Sequence, residues 1–109
     1  MSIPRDQTDL FAVDTPLGFA VRVSTSYWST IVAKHPDLAT RLADVQATLR
    51  EPNEVRRSRR DSAVLLFYRA DSRRGRWVVA VTKRENGDAF LITAYRTDAV
   101  KEGERLWPK

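Results

Sequence analysis

The 109-residue chain is the length of one domain, and its 42% hydrophobic content is enough for a core. Its 19 Lys+Arg exceed its 14 Asp+Glu, for a net charge of +5. With no cysteine and one histidine, it excludes a disulfide framework, a thiol nucleophile and any cysteine-built or multi-histidine metal site. The charge is uneven. Residues 1–53 hold five bases and six acids, whereas residues 54–109 hold fourteen bases and eight acids. The longest apolar run, Ala63–Tyr68, has six residues, against about 20 for a membrane helix. The opening MSIPRDQTDLF lacks the basic start and apolar stretch of a secretory leader. The expectation is a cytoplasmic domain with no membrane segment, no metal and no cofactor.

In chain order, residues 1–24 read as an N-terminal β-hairpin or arm. Leu10, Phe11 and Val13 lead into Thr15-Pro16-Leu17-Gly18, and Phe19, Val21 and Val23 then alternate with Ala20 and Arg22. A helix is expected after Ser24-Thr25-Ser26, any of which can cap it. Tyr27, Trp28, Ile31 and Val32 share its broad face, and it stops near Lys34-His35, before Pro36. Pro36 suits the first turn of a second helix, in which Leu38, Leu42, Val45 and Leu49 stand four, three and four apart. Glu51-Pro52-Asn53 ends it. Strands follow at Glu54–Arg60, Ser62–Ala70, Arg76–Arg84 and Ala89–Arg96, and Thr97–Lys109 reads as a tail. The predicted class is α+β, with two N-terminal helices packed on one face of a four-stranded antiparallel sheet. Residues 25–109 form the main body of this single domain.

Asn86-Gly87 between alternating runs is a strong hairpin signal, because a type I′ turn needs positive φ at both central positions. Pairing Glu85 with Asp88, and Asp71 with Arg76, sorts the strands into two faces. Val64, Leu66, Val79, Val81, Phe90, Ile92 and Ala94 form the expected helix-packed face, with Lys83 at its end. Arg69, Thr82, Thr93 and Tyr95 fall on the other, open face. A slip of one residue exchanges the faces.

The densest charge feature is Arg56-Arg57-Ser58-Arg59-Arg60. Residues 54–84 hold ten bases against three acids and include Tyr68 and Trp77. Guanidinium forks match phosphate oxygens, and a basic sheet interleaved with aromatics suits single-stranded RNA. An edge strand guarded by charge is the plainer explanation of the same run. His35, the lone imidazole, belongs to the side-chain type whose ordinary pKa lies near neutrality, and it sits at a helix junction beside a proline. Glu102 and Glu104 lack the carboxylate partners a metal site needs. No Gly-rich phosphate loop, metal motif or serine–histidine triad signature is present.

One ordered series combines Tyr27-Trp28, His35-Pro36, Val45, Leu49, Pro52, Val55-Arg56-Arg57-Ser58 and Asp61. It continues through Leu66-Phe67-Tyr68, Val79, Lys83, Phe90, Ile92-Thr93-Ala94-Tyr95, Thr97-Asp98 and Lys101-Glu102-Gly103-Glu104. The series resembles small bacterial and phage proteins of the barnase–EndoU–colicin–RelE-like nuclease superfamily, over residues 25–107. The resemblance implies two helices followed by a four-stranded antiparallel sheet. It also implies a metal-independent ribonuclease, often a toxin or phage-related effector held by an acidic antitoxin or immunity protein. By position it implies His35, a basic residue from Arg56–Arg60 (such as Arg57), Lys83, Thr93 and Tyr95 as catalytic residues. Arg56, Arg59 and Arg60 of the basic run and Arg69 of the open face are the expected RNA-binding residues. In that chemistry the ribose 2′-oxygen attacks its own phosphate, which requires a base, an acid and positive charge. The chain departs from the family in lacking a second histidine and an obvious carboxylate base. A non-catalytic module that binds nucleic acid or protein through the same basic face is the rival expectation.

Overall fold

A computed structural model describes residues 9–71, 75–99 and 103–108. The first eight residues of the expected arm, residues 72–74 between the expected strands 62–70 and 76–84, and residues 100–102 and 109 of the expected tail, with them Lys101 and Glu102, lie outside them. Strands β1 (Asp9–Asp14) and β2 (Ala20–Ser24) form the N-terminal hairpin, closed where the Thr15 N–H and hydroxyl both donate to the Phe19 carbonyl at 2.9 Å. Helix α1 (Thr25–Lys34) follows β2 directly, capped by the Ser24 hydroxyl accepting from the Tyr27 N–H at 3.1 Å. His35 ends it in a non-helical conformation, as a residue before proline should. Pro36–Thr40 is a tight 3-10 turn rather than the start of the second helix. The chain breaks at Arg41, and α2 spans only Leu42–Arg50. Strands β3 (Glu54–Arg57), β4 (Val64–Ala70), β5 (Trp77–Glu85), β6 (Asp88–Thr97) and β7 (Glu104–Trp107) complete the fold. Asn86 and Gly87 both have positive φ, 52° and 85°, as the Asn-Gly turn requires.

The sheet has seven strands in the order β1-β2-β6-β5-β4-β3-β7. It is mixed, because β2 runs parallel to β6 through the single pair Arg22 and Phe90. The α+β class holds, but the expectation of a four-stranded antiparallel sheet is wrong. The physical reason lies at the edges. A four-stranded meander would leave the backbone groups of β6 and β3 bare on their outer sides. The N-terminal hairpin covers the first edge, and the expected tail folds as β7 on the second. Among the described residues, no helix is long and apolar enough to cross a membrane.

Both helices pack on one face of the sheet. Ile31, Leu38, Val45 and Leu49 meet Leu65, Phe67, Val78, Ala80, Leu91 and Ala94 there, joined by Phe11, Val13, Val21 and Val23 of the hairpin. The expected assignment of faces is therefore reversed for β4 and β5. The reason is visible in the strands: Val64–Tyr68 and Trp77–Val81 are apolar on both sides, so alternation cannot choose between faces. Phe67 and Leu65 lie under the helices. Leu66, Tyr68, Val79 and Val81 form a second cluster on the other face, bordered by Val64, Trp77, Ile92 and Tyr95.

A buried charge network ties the two layers at one end. The Asp71 carboxylate, 3% exposed, accepts from Arg96 Nε at 2.9 Å and from Arg41 Nη1 at 3.3 Å. Arg41 also reaches Asp44 at 3.1 Å, and Arg96 reaches Asp37 at 3.7 Å. The 3-10 turn, the head of α2, the end of β4 and β6 are thus held by one carboxylate between two guanidiniums.

Candidate functional site

Paired residues in a sheet share a face, so the register reads the second face as rungs. Glu54, Tyr68, Val79 and Tyr95 form one rung across β3, β4, β5 and β6. Arg56, Leu66, Val81 and Thr93 form the next, and Val64, Lys83 and Phe90 a third. Along β5, Lys83 stands about 7 Å from the Thr93 rung and about 13 Å from the Tyr95 rung. Lys83 therefore shares its face with Thr93 and Tyr95, whereas an unbroken hairpin register puts it on the opposite side from them.

The arrangement depends on one residue. The expected register holds from Glu85 and Asp88 through Thr82 and Leu91, then shifts, with Val81 facing Thr93. Ile92 is the extra residue of a β-bulge. Past it, every β6 side chain lies on the face opposite to the one an unbroken register assigns. The bulge carbonyl is held in turn: the Tyr27 hydroxyl of α1 donates to the Ile92 carbonyl at 2.9 Å. The spacing puts Tyr27 on the apolar face of α1, yet it is among the exposed residues. No local signal marks it as a clamp, because its partner is a backbone atom 65 residues away.

Helix α1 lies against β6 and delivers His35 to the end of this face. The His35 and Tyr95 rings stand 6.1 Å apart between centroids, tilted by 37°. Both are partly buried. Asp37, two residues on, is anchored to Arg96, the neighbour of Tyr95, so the 3-10 turn carrying His35 is fixed to the strand carrying Tyr95.

At the other end, Lys83 Nζ lies 3.5 Å from Asp61 Oδ2 and 3.8 Å from Glu85 Oε1. The Asp61 carboxyl is held below the usual carboxylate range. Its chief cause is the Ala63 N–H, donated to it at 2.9 Å, and the Lys83 charge adds to it against partial desolvation. A lysine and an ionised aspartate thus stand at the rim of the face. Asp61 belonged to the ordered sequence series but carried no assigned role.

The arginines divide. Arg56 is on the site face, where Nε and Nη2 donate to Glu54 Oε1 at 3.0 and 2.8 Å and Nη1 donates to the Gly103 carbonyl at 2.8 Å. Arg57 alternates to the helix-packed side and pairs with Glu104 at 2.9 Å, so it does not join His35, Lys83, Thr93 and Tyr95. Arg59 and Arg60 are exposed on the loop leading to Asp61. Arg69 is also on the helix-packed side, donating to the Glu51 carbonyl at 2.8 Å. It lines a cleft of about 310 Å³ with Asp44, Thr48, Ala70, Asp71 and Val78. Thr82, expected on the open face, is fully buried under the helices. Among the described residues, no group of three or more His, Asp or Glu is placed to hold a metal ion.

The face can therefore offer an imidazole beside a phenol, a threonine hydroxyl one rung away, and an ammonium at the far end. Comparison of the chain with protein-family models, with curated proteins and with solved structures finds no match.

Proposed function

We propose that the chain is a metal-independent endoribonuclease of the barnase–EndoU–colicin–RelE-like kind, cleaving RNA by attack of the ribose 2′-oxygen on the adjacent phosphorus. The observation that supports this reading most is the meeting of His35 with Tyr95 on the face that carries Thr93 and Lys83. Attack forms a 2′,3′-cyclic phosphate and expels the 5′-oxygen. One proton must leave the 2′-hydroxyl and one must reach the departing oxygen. His35 is the proton carrier at the Tyr95 end. The Tyr95 and Thr93 hydroxyls orient the phosphate, and Lys83 offsets the charge that develops on its oxygens. An acidic antitoxin or immunity protein is the partner that this reading implies, since a basic face attracts RNA and an acidic protein alike.

Purified protein incubated with total tRNA, with and without EDTA, tests the reading. We expect cleavage that EDTA does not stop, products ending in cyclic phosphate, and loss of activity in His35→Ala and Tyr95→Phe. RNA left intact by the wild-type protein would sink it. One observation favours the rival, a binding module without catalysis: Arg56 is paired with Glu54, and Lys83 with Asp61 and Glu85. Salt-sensitive binding of RNA without cleavage is the result that would establish that rival.

A further inference from the structure

We infer that Arg22 and Phe90 form a nucleobase-stacking subsite beside Lys83, which takes one unpaired base of a single-stranded RNA. The inference rests on the ribonuclease reading for the identity of the polymer. Arg22 and Phe90 make the one rung that joins β2 to β6, and Phe90 is also the register partner of Lys83. Val21 and Val23, on either side of Arg22, are buried in the helix-packed core. Arg22 therefore stands on the opposite face, the one that carries Lys83, Thr93 and Tyr95. Its guanidinium lies 4.9 Å above the centre of the Phe90 ring, and Nη2 meets Asp88 Oδ2 at 3.3 Å.

The geometry favours a base over a phosphate. A guanidinium plane is a stacking surface for unpaired bases. Here the aromatic ring supports it from below and a carboxylate holds its edge, so little freedom remains to be lost on binding. Asp88 offsets much of the positive charge, so the plane is a better surface for an uncharged ring than for an anion. The Arg22 side chain is 41% exposed, so a ligand can reach it from solvent. A base stacked there would sit next to Lys83, with its phosphate within reach of the ammonium.

Docking of the N-terminal hairpin does not depend on this pair. Phe11, Val13, Val21 and Val23 anchor the hairpin in the core, and on the other side of the β5–β6 turn the Arg84 guanidinium lies 4.4 Å over Phe19. Arg22 variants are therefore expected to fold, as judged by thermal melting.

The test uses full-length protein and fluorescent RNA pentamers whose riboses are 2′-O-methylated, so that binding is read without cleavage. A single abasic residue is walked through the five positions. At one position, loss of the base should weaken wild-type binding about tenfold, and Arg22→Ala should weaken the intact pentamer equally while ignoring that abasic change. Arg22→Lys keeps the charge but not the plane, and should behave like Arg22→Ala. Phe90→Leu should give a smaller loss at the same position. Rescue by Arg22→Lys, or an equal effect of Arg22→Ala on intact and abasic RNA, would overturn the subsite in favour of simple charge attraction. Wild-type protein that cleaves unmodified RNA while Arg22→Ala binds unaltered would refute the subsite and leave the ribonuclease reading standing. Failure of the wild type to bind or cleave any RNA would overturn both.

Discussion

Loss of the Asp71 carboxylate should cost the fold heavily for the few atoms removed. That carboxylate is 3% exposed and lies between Arg96, 13% exposed, and Arg41, 24% exposed. Neither guanidinium can recover full hydration in place when its counter-charge goes. Arg41 retains Asp44 and Arg96 retains Asp37, but both of those carboxylates are about half exposed and contribute little. Breaking a buried pair from one side costs about 3–5 kcal/mol, and that range is expected for Asp71→Ala. Asp71→Asn keeps one acceptor oxygen of the same size, and about 2–3 kcal/mol is expected. At roughly 4–8 °C per kcal/mol for a domain near this size, the alanine variant should melt at least ~12 °C lower. Urea unfolding followed by circular dichroism gives the free energies. Asp71→Ala combined with Arg96→Met should lose less than the sum of the two single changes, because the second removes the charge that the first strands. A loss below about 1 kcal/mol for Asp71→Ala, or strict additivity in the pair, would refute the reasoning.

Three further outcomes follow from single contacts. Gly103 has φ +90°, and an added Cβ would strike the Arg57 carbonyl where β7 begins to pair with β3. Gly103→Ala should therefore cost at least about 2 kcal/mol, more than Gly18→Ala, which has the same φ in open space; equal drops in melting temperature would refute the close approach. The Asp61 carboxyl is depressed in the folded state, so its contribution is present above its unfolded pKa and fades as pH falls through the lower, folded one. Asp61→Asn should flatten the acid limb of urea midpoints below about pH 4, and curves parallel to wild type would contradict this. Tyr27→Phe removes only the hydroxyl held at 2.9 Å on the Ile92 carbonyl, and should cost about 0.5–1 kcal/mol. It should slow RNA cleavage on the order of tenfold or more if the bulge aims Thr93 and Tyr95, whereas an unchanged rate would deny the clamp that role.

Much of the fold is legible in residues whose effect is local. Asn86-Gly87 can adopt positive φ and so marks the β5–β6 turn, and Pro36 marks the junction at His35. The Asp71–Arg76 pairing also holds, with the Asp71 N–H donating to the Arg76 carbonyl at 2.9 Å. The two outer additions to the sheet are not legible in this way. Arg22 makes the one rung between β2 and β6, and β7 is four residues of Glu104-Arg105-Leu106-Trp107, too short and too charged to announce a strand. Both are fixed by edges that exist only once the other strands have assembled.

The site shows the same division more sharply. His35, Lys83, Thr93 and Tyr95 can be named from residue type and order, but not their common face. Counting outward from Asn86-Gly87 puts Lys83 and Tyr95 on opposite sides of the sheet, and the count is correct as far as Leu91. Ile92 then adds one residue without a partner. A bulge needs no glycine, and an isoleucine there looks like any strand residue. Its carbonyl is anchored from outside the sheet by the Tyr27 hydroxyl, which reaches it because β2 runs straight into α1 and lays that helix along β6. The N-terminal hairpin, readable from sequence as a hairpin or arm outside the main body, is thus what brings α1 to the bulge. The placement of Tyr95 beside His35 is therefore a tertiary consequence of the bulge at Ile92 and of the core packing that seats the hairpin and α1.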